Sequence, residues 1–164
     1  MSNDLLYSSG KTSALRAENF RFAIVAARFN AHIVDKLLAG AEKALLTHGA
    51  DSKALTVVRV PGAFELPLAA QKLAATGRYD AVITLGCVIR GDTPHFDYVC
   101  NECARGINEV ALKYNMPVIF GVLTTDNTMQ AEVRAADNNN KGIDAALTAI
   151  EILQLYQTEA FKPA

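Results

Sequence analysis

No stretch of this 164-residue chain approaches the roughly 20 consecutive apolar residues a membrane-spanning helix needs, because Arg, Lys, Asp and Glu recur throughout. No sign of charge dominates either. Sixteen Lys and Arg against 17 Asp and Glu leave a formal charge of -1 without a basic cluster, which argues against nucleic acid and anionic membrane surfaces as partners. Low-complexity tracts are absent, and 51% hydrophobic against 20% charged residues excludes disorder for all but the ends. The opening MSNDLLYSSGK lacks a basic stretch followed by an apolar run, so no secretory signal is readable and a cytoplasmic location is expected. Cysteine is scarce. Cys87, Cys100 and Cys103 are an odd number in an intracellular-looking chain, which speaks against a disulfide framework and for free thiols.

What is present is a regular alternation. Residues 1–18 are polar and aperiodic and read as an arm, free or docked on a neighbour. Residues 19–164 read as a single domain. Short apolar runs at Arg21–Ala27, Ala54–Val60, Asp80–Ile89 and Pro117–Leu123 predict four strands buried on both faces, as parallel strands are. Between the first two, Ile33, Leu37, Ala41 and Leu45 form a helical stripe that Gly49 ends. Further helices are predicted over Leu66–Ala75, from Pro94 to Tyr114 with Thr93 as N-cap, over Thr128–Ala136, and from Lys141 to about Tyr156. Strands alternating with helices mean right-handed crossovers and an α/β three-layer αβα sandwich. Its four-stranded parallel sheet should have the flavodoxin-like order 2-1-3-4. In such sheets ligands sit beyond the carboxyl ends of the strands where strand order reverses, so the loops after the first three strands are the places to search.

Those loops read ARFN, VPGAFELP and GCVIRGDTPHFDYV. The third leaves a buried strand and enters a helix, whose first turn would offer free N–H donors and a positive dipole end to a phosphate or carboxylate. His95 falls in that turn, where the dipole disfavours the imidazolium and leaves a neutral acid/base candidate; a purely local hydrogen-bonding or packing role stays open. Asp92 would repel an anion there, so its side chain must turn outward and only its N–H can contribute. Phe29 either staples the following helix, the reading the sequence favours, or stacks on a planar ligand. Glu65 could accept from ligand hydroxyls or a ring N–H, or serve as an ordinary capping residue. Arg134, on the short helix, and Lys141, opening the last one, are cations that are not diagnostic by themselves.

Several motifs fail on context. Gly10-Lys11-Thr12 looks like the end of a phosphate loop, but Leu5 stands where glycine is required and no strand precedes it. Cys100-Asn101-Glu102-Cys103 has redox or zinc spacing inside a predicted helix, with no second ligand pair, and His32 and His48 lack partners at useful spacing, so no metal site is expected. Neither GxGxxG nor GxSxG occurs.

Taken in order, RFN, PGAFE, the G-x-V-I-R-G-x-T-x-H run, TTDN, Arg134 and NKG resemble the 6,7-dimethyl-8-ribityllumazine synthase family of riboflavin biosynthesis, from about residue 20 to 156. The resemblance implies condensation of 5-amino-6-(D-ribitylamino)uracil with 3,4-dihydroxy-2-butanone 4-phosphate, losing phosphate and water, without metal or organic cofactor. It implies Phe29 stacked on the pyrimidine, and Ala63, Phe64 and Glu65 around the ribityl chain. Cys87, Val88 and Ile89 would bind the pyrimidine edge through backbone groups. Asp92 and Thr93 would hold phosphate by N–H groups, and His95 would transfer protons. Phe120, Arg134 and Lys141 would come from an adjacent copy, Arg134 pairing with the phosphate. A homo-oligomer follows from a shared site, as a pentamer, decamer or icosahedral capsid, with riboflavin synthase as a further partner. Two other readings compete: a non-catalytic flavin- or lumazine-binding module of the same fold, and a structural shell protein. His95 with Arg134 favours the enzyme over the first, and the intact motifs argue against the second.

Overall fold

The computed structural model of the protein describes residues 14–164, so the Gly10-Lys11-Thr12 motif and most of the expected arm lie outside the described residues. The chain runs β1 (Phe22–Ala27), α1 (Ala31–Thr47), β2 (Leu55–Val60), α2 (Leu66–Ala74), β3 (Ala81–Ile89), α3 (His95–Tyr114), β4 (Val118–Thr125), α4 (Thr128–Ala135) and α5 (Lys141–Tyr156). All strand pairs are parallel and the sheet order is β2-β1-β3-β4, the order expected from the crossovers.

Period-two alternation sorts each central strand between two cores. Phe22, Ile24 and Ala26 of β1, with Ile83 and Leu85 of β3, meet α1, α4 and α5 on one face; Ala23, Val25, Ala27 and Val82 meet α2 and α3 on the other. On the first face α5 approaches α1 so closely that only glycine fits. A Cβ at Gly142 would lie 1.9 Å from the Leu37 carbonyl oxygen, and one at Gly40 would lie 2.6 Å from the Asn140 side chain. Asn140 is almost wholly buried and fully used. Its Oδ1 accepts from the N–H groups of Gly142 (2.8 Å) and Ile143 (3.2 Å), and its Nδ2 donates to the carbonyls of Lys36 (2.9 Å) and Ala135 (3.3 Å).

Three expectations need correction. Burial on both faces holds for β1 and most of β3, but β2 and β4 are only partly covered, because they are the two edges of the sheet. α3 begins at His95, not Pro94. Pro94 takes the cap position, and the Thr93 hydroxyl accepts from the His95 N–H only at a long 3.4 Å, so the helix start is weakly capped. The described end of the arm docks on its own chain: the Ala17 N–H donates to the His48 carbonyl (2.8 Å) and the Arg16 N–H to the Gln154 side chain (3.0 Å). The three cysteines are free, as expected.

Candidate active site at the carboxyl ends of the strands

Strand lengths build the site. β1 has six residues and β3 nine, and their ladder ends at the Ala26–Leu85 pair. From Gly86 to Ile89, β3 is paired with β4 alone, so its backbone on the β1 side is free of strand pairing, with only the Cys87 carbonyl taken by the loop after β1. The loops after β1 and β2 are stitched beside it, with Arg28 N–H donating to the Val60 carbonyl (2.7 Å) and Phe29 N–H to that of Pro61 (3.0 Å). Asn30 fastens this pair to β3: its backbone is left-handed (φ 57°) and its Nδ2 donates to the Cys87 carbonyl at 2.9 Å instead of capping α1.

The result is a cavity of about 400 Å³ at the switch point of the sheet. Of the residues singled out in the sequence, Phe29, Ala63, Phe64, Glu65, Cys87, Val88, Ile89, Thr93 and His95 all line it. Phe29 is 70% exposed, which overturns the staple reading; its ring is left over the cavity because α1 turns away at left-handed Asn30. One oxygen of Glu65 accepts from the Gly62 N–H (2.9 Å), which ties the turn Ala63–Glu65 in place. Asp92 is exposed and absent from the lining. Burial pushes the Cys87 thiol up to about 11 and that of Cys103 to about 12, so neither offers a thiolate at neutral pH.

The structure does not bring the remaining three residues to this cavity. Phe120 and Lys141 line a separate groove along the open edge of β4, where Lys141 pairs with Asp144 at 2.9 Å. Arg134 lies exposed on α4, its Nη1 donating to the Gln130 carbonyl at 2.9 Å. Sequence reading missed Asn30 as the tie between loops, and Phe96 and Val99 as lining residues. The signal for the second pair was there: positions 95, 96 and 99 share a helix face. Among the described residues no cluster of three or more His, Cys, Asp or Glu is placed to hold a metal, and no helix is long and apolar enough to cross a membrane.

A parallel sheet of order 2-1-3-4, with an open backbone edge and a histidine-bearing helix start around one cavity, defines an α/β protein of the flavodoxin-like class with its site at the switch point. The family model of 6,7-dimethyl-8-ribityllumazine synthase matches residues 19–157. The chain belongs to that family, and with it to the transferases of riboflavin biosynthesis.

Proposed function

We propose that the protein condenses 5-amino-6-(D-ribitylamino)uracil with 3,4-dihydroxy-2-butanone 4-phosphate to give 6,7-dimethyl-8-ribityllumazine, phosphate and water. The observation that carries this reading is the backbone of Cys87–Ile89, beyond the end of its pairing with β1, facing Phe29 across one cavity with His95 on its rim. A flat heterocycle bearing donors and acceptors along one side suits such an edge, with the Phe29 ring stacked on its face. Ala63, Phe64 and the second oxygen of Glu65 meet the ribityl hydroxyls. Phosphate binds at the start of α3, held by the N–H groups of Asp92 and Thr93 while the Asp92 carboxylate points to solvent.

The chemistry is attack of the amine on the ketone with loss of one water, departure of phosphate, and closure of the ring with loss of a second water. Holding both reactants together supplies most of the acceleration, and His95 carries protons between the nitrogen, the substrate carbon and the departing oxygens. The distance of Phe120, Arg134 and Lys141 from their own chain's cavity supports a site shared between copies, in which Arg134 of one copy pairs with phosphate bound to the next. The working form is then a homo-oligomer, a pentamer or an assembly of pentamers, in the cytoplasm.

The test is to mix purified protein with both substrates and follow lumazine by absorbance and phosphate in parallel. The two products rising together, faster than in the uncatalysed mixture, is the expected result. Tight binding of lumazine or riboflavin without acceleration would replace the synthase with a binding module and withdraw the roles of His95 and Arg134.

A further inference from the structure

Arg90 stands directly behind the cavity wall, the first residue after β3. Its N–H donates to the Thr125 carbonyl (2.8 Å), continuing the β3–β4 ladder by one step. Its guanidinium then gathers three groups. Nε donates to Asp126 Oδ1 at 3.0 Å, Nη1 donates to Asp97 Oδ1 at 3.3 Å, and Cζ lies 4.2 Å from the centroid of the Phe96 ring. Phe96 lines the cavity, whereas Arg90 does not. Asp126 is itself fixed, because its N–H donates to Gln130 Oε1 (2.9 Å) on α4.

The segment so held needs holding. The N-cap position of α3 is a proline with no side-chain cap, and the Thr93 hydroxyl reaches the His95 N–H only at 3.4 Å. The first turn that carries His95 is therefore weakly anchored from its own chain ends. We propose that Arg90 is a positioning residue: by clamping Phe96 and Asp97 of α3 to Asp126 beyond β4, it holds His95 against the cavity without touching substrate. The inference rests on the synthase reading. Exposed ion pairs contribute little to stability one at a time, but a planar guanidinium with two carboxylates and a ring in contact admits a narrow range of geometries. A misplacement of about 1 Å near a reacting centre can cost on the order of a hundredfold in rate.

In the full-length protein, Arg90→Gln should lower kcat by roughly 10- to 100-fold while the KM for ribitylaminouracil moves by less than about threefold, since the β3 edge and Phe29 stay in place. Arg90→Lys should recover only part of the loss, because an ammonium cannot serve both carboxylates and the ring face together. Asp126→Asn should act in the same direction more weakly, and the double variant should be no slower than Arg90→Gln alone. A kcat of Arg90→Gln equal to that of the parent, a rise confined to KM, or losses that multiply in the double variant would each overturn the proposal. Should Arg90→Gln fail to assemble by native mass, Asp126→Asn and Asp97→Asn carry the same kcat and KM criteria. Failure of the parent protein to form lumazine would instead sink the synthase reading, before any variant is measured.

Discussion

The two faces of the sheet are finished to different degrees. On one, α1 and α5 bury residues along their whole length, and their exposed large apolar side chains, Leu46, Leu155 and Tyr156, are confined to the last turns. On the other, α3 buries only Cys103, Ile107 and Val110 among its twenty residues, leaving Tyr98 69% and Leu112 75% exposed, while Leu68 of α2 is 59% exposed. Under α1 and α5 the first face is closed within one chain, whereas α4 at its margin leaves Met129 73% and Val133 53% exposed. The second turns apolar surface outward along α2 and α3, the kind of surface that packing against a further copy of the chain would cover.

The sharpest way to break this contrast is through the site. His95→Ala is expected to lower kcat by about 10²- to 10⁴-fold without abolishing turnover, because proximity survives the loss of the proton carrier. Arg134→Ala should chiefly raise the KM for the butanone phosphate, by roughly 10- to 100-fold for a lost charge-assisted contact. Co-assembling the two impaired chains should restore part of the lost activity; a mixture no better than its components would place both residues in one chain's site.

Next in size is the closed face. Leu37→Ala empties a fully buried position under α5 and should lower unfolding free energy by about 2–5 kcal/mol in urea titration, by the same amount at every protein concentration. On the open face Leu68→Asp should shift single-chain stability by no more than about 0.5 kcal/mol yet reduce the native mass. If it assembles as the parent does, the outward apolar surface has another purpose.

The smallest effect separates neither face, because each covers a thiol: Cys87 belongs to the closed side and Cys103 to the open one. Both are held protonated by burial, at about 11 and about 12, above the ordinary thiol value of 9.0. Between about pH 9 and 12 the unfolded chain therefore loses protons that the folded chain keeps, and stability should fall as pH rises through that window. Alkylation at pH 8 should spare both thiols in the folded protein and reach them in denaturant.

Most of the fold was legible because apolar runs and helical stripes are local patterns: each strand and helix lies within a few residues of its expected span, and Gly49, just past the end of α1, has the positive φ expected of a helix stop. The half-exposure of β2 and β4 was not, since a β-branched run reads the same at a sheet edge as at its centre. In the site, the loops could be found from strand order alone, but the fate of Phe29 depended on Asn30 turning left-handed and spending its amide on Cys87, a contact 57 residues away. The weak capping of α3 was hidden for a similar reason, as residue types state a preference and not a distance.

The buried amide of Asn140 has a reach beyond the helix it caps. Through Nδ2 it grips the backbone at Ala135, next to Arg134, and through Oδ1 the backbone at Gly142, next to Lys141, while a third bond to Lys36 pins both to α1. One side chain thus acts as a caliper, setting the span between the backbone positions that carry Arg134 and Lys141.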